Sequence, residues 1–152
     1  YEEITAFDFT VDAEIPDEEI VCNIDKALFI RVMENLSNNS MKYNPPGTTI
    51  FVSVYGSSGQ AIIQIGDDGI GLSQEKKDHL FEPFATGDQS RSSNHGSGLG
   101  LAIVKKIISA QHGSIELCDQ QQKGTLFEIR LPIAARDDLT EETLAEKSTL
   151  DL

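Results

Sequence analysis

Three polar side chains at helical spacing are the first residues of this sequence that could do chemistry. Asn35, Asn39 and Lys42 are four and three positions apart, so on a helix they fall within roughly 60° of one another and share one face. A side-chain amide offers a neutral oxygen to a hard cation, and Mg²⁺ takes one or two protein oxygens while phosphates and waters complete its octahedron. The pattern indicates Asn39 as a magnesium ligand, Lys42 as a partner for phosphate charge, and Asn35 as a contact for the metal's water shell or a phosphate.

The same face also fits an ordinary solvated helix surface. Asparagine is a mediocre helix former, yet four of them stand within ten positions: Asn35, Asn38, Asn39 and Asn44. Glu or Lys would favour the helix more. A local departure of this kind often marks a site, so we interpret the stripe as functional.

The segment GDDGIGL, residues 66–72, follows an apolar run. Gly69 and Gly71 permit positive φ angles and a close approach of the backbone. A carboxylate at Asp67 or Asp68 repels phosphate but accepts a hydrogen bond from an exocyclic amine such as that of adenine. A plain Asp-Gly turn is common, so the segment indicates base recognition only together with a phosphate site elsewhere.

Residues 95–104, HGSGLGLAIV, combine alternating glycines with the start of an apolar run. Backbone N–H groups at Gly96, Gly98 and Gly100, with the positive end of a helix starting near Leu99, can hold a polyphosphate. A flexible linker or tight packing also gives such a string, but neither explains its place between a polar loop and an apolar helix. Arg91, in that polar loop, could swing onto a phosphate, although a lone loop arginine is more often solvated.

The elements that position these residues follow from periodicity. Residues 1–24 predict two strands around a turn at Pro16 and Asp17. Asp25 is predicted to cap a helix that ends before the segment NPPG, residues 44–47. Its apolar stripe comprises Leu28, Val32, Met33 and Leu36.

The rest of the chain predicts a hairpin across SSG, a short helix capped by Ser73, a polar loop over 85–95, a second long helix ended at His112 and Gly113, and a closing hairpin around QQQKG. Beyond residue 133 lies an acidic tail, 134–152, for which disorder is slightly favoured over a helix or local packing. We therefore divide the chain into a domain, 1–133, and this tail.

Composition limits the functions open to the chain. Its 152 residues fit one domain, and a net charge of −13 argues against nucleic-acid binding, which depends on Lys and Arg. No apolar run approaches the roughly 20 residues needed to span a bilayer, so no membrane contact is expected. Cys22 and Cys118 have no metal-like spacing, which favours reduced thiols in a cytosolic setting. The chain lacks an initiator Met, so we expect a piece of a longer protein, monomeric on its own.

Taken together, these segments resemble the ATP-binding catalytic domain of bacterial sensor histidine kinases, within the superfamily shared with gyrase, heat-shock chaperones and mismatch-repair ATPases. ENLSNNSMKYN resembles the family's N box, DDGIG its first glycine box, FEPF its F box and GSGLGLA its second glycine box. The resemblance runs from about Phe7 to Pro132, and four boxes in register make coincidence improbable. It implies the Bergerat fold, a two-layer α/β sandwich in which helices cover one face of a mixed sheet.

The resemblance also implies roles for individual residues. Asn39 matches the magnesium ligand, with Asn35 one turn earlier, and Asp67 matches the carboxylate that recognises the adenine amine. Lys42 and Tyr43 match positions that approach phosphates and nucleotide. The remaining matches are the turn glycines Gly69 and Gly71, the aromatic pair Phe81 and Phe84 that anchors one end of the ATP lid, and the lid hinge Gly96, Gly98, Leu99, Gly100 and Leu101.

One departure bears on the reaction. ATP-hydrolysing relatives carry a Glu general base one turn before the metal-binding Asn, where this chain has Asn35, and an amide cannot take a proton from water. Glu34 should point about 100° away. Phosphoryl transfer to another group is therefore favoured over hydrolysis, since positioning and Mg²⁺ do most of the work in such transfers.

The resemblance implies that the chain transfers the ATP γ-phosphoryl group to a histidine on a separate, upstream dimerisation domain. It also implies a response regulator as a partner in the intact system. His79, His95 and His112 lack the helical context with an acidic neighbour expected of that acceptor. We expect a cytoplasmic domain of a membrane-anchored sensor. A degenerate, nucleotide-dependent interaction module and a protein-serine kinase stay open as alternatives.

Overall fold

A computed structural model describes residues 8–84, 98–118 and 123–134. Over these residues the chain forms one five-stranded mixed sheet in the order β1-β2-β3-β5-β4. The strands are β1, Thr10–Glu14; β2, Thr49–Ser57; β3, Gln60–Asp67; β4, Ser114–Leu117; and β5, Thr125–Pro132. The helices are α1, Lys26–Tyr43; α2, Gln74–Asp78; and α3, Gly100–Ala110. Only the β1–β2 pair is parallel.

Strand alternation gives the sheet one apolar face, against which α1 and α3 pack. Ile63 and Ile65 of β3 are paired with Ile129 and Phe127 of β5, and these side chains form one core with Val32 of α1 and with α3. The same alternation places Asp67, at the end of β3, on the helix-covered side. The predicted two-layer α/β arrangement is confirmed.

The long helix α1 begins and ends where its sequence predicts. The Asp25 carboxylate accepts a hydrogen bond from the Leu28 backbone N–H at 2.9 Å, which satisfies an otherwise unpaired donor of the first turn. The helix ends at Tyr43, before Asn44 and the two prolines. Val32 and Leu36 are buried as predicted, but Leu28 is 37% exposed, and its neighbour Phe29 packs against the core from the first turn.

Two other predictions need correction. Of the two strands predicted before residue 24, only Thr10–Glu14 forms; the second segment contributes one isolated bridge, from Cys22 to Ile133. Ser73 stands at the predicted N-cap of α2, but its side chain makes no capping hydrogen bond.

The remaining connections follow the sequence closely. Ser58 and Gly59, both with positive φ, turn β2 into β3, as the twist of a two-residue hairpin requires. The helix α3 ends at Ala110, and His112, with φ 59°, lies in the turn that follows it. Neither cysteine forms a disulfide with a described residue, and both are half-buried. In the described part of the chain, no helix has the length and apolar character to cross a membrane.

Candidate nucleotide-binding site

The centre of the site is a carboxylate at the end of β3. Asp67 is only 2% exposed. Its Oδ2 accepts a hydrogen bond from the Ser40 hydroxyl of α1 at 2.8 Å, and its Oδ1 accepts one from the Gly69 backbone N–H at 3.1 Å. A buried carboxylate held in this way can only accept further hydrogen bonds, so it fits an amine of a ligand and repels a phosphate.

The turn that follows Asp67 is attached to the last turn of α1. The Asn44 amide accepts a hydrogen bond from the Ile70 N–H at 2.9 Å and donates one to the Ser40 carbonyl at 3.0 Å. A Cβ on Gly69 would overlap the Asn44 amide, so only glycine fits there. The turn is thus fixed by α1 as well as by its own backbone.

Gly71 and Gly124 bring a second strand against this turn. Gly71 has φ +74°, a conformation that favours glycine. A Cβ on Gly124 would overlap the Asp67 carbonyl. The start of β5 therefore approaches the Asp67 backbone as closely as atoms allow, and it brings Thr125 to the edge of the site.

The polar face of α1 divides into residues with different surroundings. Asn39 lines the cleft beside Asp67 and its side chain makes no hydrogen bond to any other described residue. Asn35 instead donates to the Arg31 carbonyl of its own helix at 2.7 Å. The Asn35 Oδ1 lies against the first turn of α3, where a Cβ on Gly100 would come within 2.9 Å. On the predicted shared face, the Asn39 amide thus has no hydrogen-bond partner among the described residues, whereas the Asn35 amide is used in helix packing.

Lys42 and Tyr43, at the end of α1, are both exposed. The Lys42 Nζ lies 3.2 Å from the Tyr43 hydroxyl and 4.9 Å from the centre of its ring. Tyr43 lines the cleft. Lys42 is therefore close to the cleft entrance but directed at an aromatic neighbour, a contact that a phosphate can replace because exposed cation–π pairs are weak.

Phe84 and Gly98, the described residues that flank 85–97, are joined by a backbone hydrogen bond. The Phe84 N–H donates to the Gly98 carbonyl at 3.1 Å, and both residues have positive φ, 64° and 66°. Phe81 packs edge-to-face on Phe127 with ring centres 6.2 Å apart. Phe84, predicted with Phe81 to anchor one end of the lid, is 71% exposed, and the hydrogen bond of its backbone N–H to Gly98 is its contact with the described residues across this segment. The predicted residues Arg91 and Gly96 lie outside the described residues.

Asn39, Tyr43 and Asp67 line one cleft between α1, the turn after β3 and the start of α3, with a cavity volume of about 60 Å³. Because ligand sites usually enclose roughly 300–1,000 Å³, the cleft must widen to admit a nucleotide. Its lining is mostly apolar around a few polar groups: Asn39, Ser40, Tyr43, Asn44, Asp67, Gly71, Leu72, Leu80, Leu101, Thr125 and Phe127. Gly98, Leu99 and Gly100 precede and begin α3 at its side.

A magnesium ion has one suitable protein ligand here. No cluster of three or more His, Cys, Asp or Glu side chains that could hold a metal occurs among the described residues. The Asn39 amide is an oxygen donor of the kind that Mg²⁺ accepts when waters and phosphates supply the other positions. The donor set therefore fits a metal that arrives with a polyphosphate.

Sequence reasoning missed Ser40, Asn44, Gly124 and Thr125. Ser40 and Asn44 flank predicted site residues, and their spacing of four on α1 is the signal that would have placed both beside Asp67. Nothing local marks Gly124 and Thr125, because their role depends on the pairing of β3 with β5.

Comparison with known proteins adds the family context. The family model described as histidine kinase-, DNA gyrase B- and HSP90-like ATPase matches residues 24–135. The sensor protein KdpD of Clostridium acetobutylicum is 33% identical over 123 residues, 80% of this chain and 14% of that protein. The sensor histidine kinase TmoS of Ectopseudomonas mendocina is 34% identical over 128 residues, 83% of this chain and 13% of that protein.

A solved structure of a histidine kinase domain is also similar to this chain. The NMR structure of the histidine kinase domain of the E. coli osmosensor EnvZ matches with a TM-score of 0.65 and 30% identity, covering 88% of this chain and 83% of that one. The chain spans only about an eighth to a seventh of the length of the two curated relatives described above.

Proposed function

This chain belongs to the family of histidine kinase-, DNA gyrase B- and HSP90-like ATPases, and on that premise we propose that it is the ATP-binding catalytic domain of a two-component sensor histidine kinase. The membership confirms the resemblance inferred from the N box, the glycine boxes and the F box. The observation that carries the proposal is that one cleft contains both the buried Asp67 carboxylate and the Asn39 amide, which makes no hydrogen bond to another described residue. The first suits an adenine amine and the second a magnesium-bound polyphosphate.

Different residues of the cleft would contact different parts of the nucleotide. Asp67, with Gly69 and Gly71 shaping its turn, accepts the hydrogen bond of the adenine amine. Asn39 would hold Mg²⁺, which when bound would supply charge neutralisation for the phosphoryl oxygens. The phosphate contacts that we propose are Asn35, Lys42, Tyr43 and Arg91, with Phe84 and the hinge residues Gly96, Gly98, Leu99, Gly100 and Leu101 on the lid side.

Two features support transfer to a protein group over hydrolysis. Asp67 is the only carboxylate among the described residues that line the cleft, and it lies at the base-recognition end. The residue one turn before Asn39 is Asn35, which is engaged with the Arg31 carbonyl, and Glu34 is exposed. Without a carboxylate to take a proton from water, hydrolysis lacks its base.

The acceptor would lie on a separate domain that precedes this one in the parent protein. His79 is exposed and its Nδ1 lies 3.1 Å from Glu82; the hydrogen bond and charge of Glu82 raise the pKa of His79. His112 lies in the turn after α3 with a positive φ. Both have ordinary surface roles, so the proposed partners are a dimerisation domain with the acceptor histidine and a response regulator, in the cytoplasmic part of a membrane-anchored sensor.

A transfer assay tests the proposal. The purified chain is mixed with the helical hairpin that carries the acceptor histidine of the parent protein, Mg²⁺ and γ-labelled ATP. We expect acid-labile label on the hairpin, because a phosphorus–nitrogen bond hydrolyses in acid, and none when the acceptor histidine is replaced by glutamine.

The other outcomes separate the alternatives. Acid-stable label on serine would indicate a protein-serine kinase. Saturable ATP binding without transfer would indicate a nucleotide-dependent interaction module. A folded chain that does not bind ATP in the presence of Mg²⁺ would overturn the proposal altogether.

A further inference from the structure

The hydroxyl of Ser40 has a single proton, and the structure shows where it goes. Ser40 is 7% exposed and its hydroxyl donates to the Asp67 Oδ2 at 2.8 Å. If the proton turned towards a ligand, Asp67 would lose one of its two hydrogen-bond donors while almost fully buried. Removing a partner from a buried charge costs more than an ordinary hydrogen bond contributes, so the Ser40 hydroxyl keeps its proton directed at the Asp67 carboxylate.

Ser40 and Asp67 form a polar edge of the cleft, and in this arrangement neither side chain can donate a hydrogen bond to a ligand. Asp67 Oδ1 already accepts from the Gly69 N–H at 3.1 Å, and a carboxylate has no proton to donate. Ser40 lines the cleft beside it with only oxygen lone pairs free. A ligand group with N–H bonds fits this edge, whereas a carbonyl meets two oxygens.

Ser40 is also fixed at its backbone. Its carbonyl accepts a hydrogen bond from the Asn44 amide, and the same amide accepts from the Ile70 N–H. The residue is therefore connected to the turn after Asp67 on one side and to the carboxylate on the other. The hydroxyl and the carboxylate keep a set geometry before a ligand arrives, which lowers the cost of binding.

We propose that Ser40 is a positioning residue that fixes the Asp67 carboxylate and makes the site select 6-amino purines against 6-oxo and 6-unsubstituted purines. The proposal rests on the function proposed above and adds the source of its base selectivity. Ser40 acts through Asp67 on the ligand amine.

The test compares three nucleotides on the whole chain by calorimetry with Mg²⁺: ATP, purine riboside triphosphate, which lacks the 6-amino group, and inosine triphosphate, which has a 6-oxo group. In Ser40→Ala we expect ATP affinity to fall about three- to tenfold, the range of one ordinary net hydrogen bond, because Ser40 acts on the ligand only through Asp67. Affinity for purine riboside triphosphate should not change, and the preference for ATP over inosine triphosphate should fall by a similar factor.

Ser37→Ala is the matched control. Ser37 is the serine one turn earlier in α1, half-buried and outside the cleft lining, so it has the same chemical change without the contact to Asp67. We expect unchanged ratios between the three nucleotides. Ser40→Thr, which keeps the hydroxyl, should retain the wild-type ratios even if the added methyl group lowers all three affinities.

The outcomes distinguish this inference from the proposed function. If wild-type protein binds ATP and Ser40→Ala weakens all three nucleotides equally, or changes none of the ratios, Ser40 has only a structural role and the inference fails alone. If folded wild-type protein binds none of the nucleotides, the proposed function fails and the inference fails with it.

Discussion

Asp67 and Asn39 line the same cleft, but the protein holds the first far more tightly than the second. Asp67 is almost fully buried and accepts hydrogen bonds from Ser40 and Gly69. Asn39 is half-buried and makes no side-chain hydrogen bond within the described part of the chain. Lys42, one turn further on, is exposed and contacts only Tyr43 in the described residues.

The difference matches what each end would have to recognise. A purine is rigid, so a preorganised acceptor can select its edge without rearranging. A metal-bound triphosphate brings its own geometry, and side chains without fixed partners can adapt to it. We therefore expect substitutions at the Asp67 end to change base selectivity, and substitutions at the Asn39 end to change the dependence on magnesium.

The largest effect is expected from Asp67→Asn. The amide presents N–H groups where the native carboxylate has only acceptors, so it cannot satisfy Ser40, Gly69 and the adenine amine together. We expect ATP affinity to fall about 30- to 100-fold, corresponding to the cost of unpaired buried polar groups, with a smaller loss for inorganic triphosphate. Calorimetry measures both.

Asp68→Asn is the control for this change. Asp68 is exposed and its carboxylate accepts from the Thr49 N–H, away from the cleft. Its replacement should leave ATP affinity within about twofold, as for most surface substitutions. If Asp67→Asn bound ATP as tightly as the wild type, Asp67 would not recognise the base. The proposed contrast between the Asp67 and Asn39 ends of the cleft would then be wrong.

A smaller effect is expected from Asn39→Ala. Removal of the amide oxygen should reduce the increase in ATP affinity that Mg²⁺ produces by about tenfold, since one metal ligand is lost while waters and phosphates remain. Titrations with Mg²⁺ and with EDTA give this ratio. Asn38→Ala, at the exposed neighbouring asparagine, should keep the wild-type ratio, and an equal ratio in Asn39→Ala would mean that the amide does not bind the metal.

The part of the site that could be predicted from sequence is the part defined by local spacing. The cap at Asp25, the helix end before Asn44 and the position of Asp67 at the end of a strand all follow from nearby residues. The different surroundings of Asn35 and Asn39 could not be predicted in this way, because they depend on where Gly100 of another helix lies. Periodicity placed both amides on one face but could not say which one a neighbouring helix would cover.

The other features that could not be predicted from the sequence depend on pairing between distant segments of the chain. The contact of Gly124 with the Asp67 backbone depends on strand order, in which β3 lies beside β5 and not beside β4. The second amino-terminal strand was predicted from alternation alone, yet the segment makes one bridge, with Ile133 near the other end of the chain. Alternation indicates a strand only where a partner strand is available, and that partner is not visible locally.

The smallest effect on the cleft is expected from a change on the opposite face of the sheet. There the Glu128 side chain, 12% exposed, accepts hydrogen bonds from Gln64 and Arg130, and these contacts hold the pKa of Glu128 below its usual value of 4.5. Since the folded-state pKa is the lower one, the contribution to stability is complete above about pH 4.5 and is lost as the pH falls through the folded-state pKa.

Glu128→Gln removes this titration. We expect the unfolding free energy of the variant to fall less steeply with acid below pH 4.5 than that of the wild type, by a difference of at most about 1 kcal/mol because Arg130 is partly exposed and solvent screens the pair. Urea unfolding at several pH values measures it. Nucleotide affinity and its magnesium dependence at pH 7 should not change, because the sheet separates Glu128 from the cleft. If the affinity or its magnesium dependence did change, the geometry around Asp67 would depend on the far face of the sheet as well as on α1 and the turn after β3.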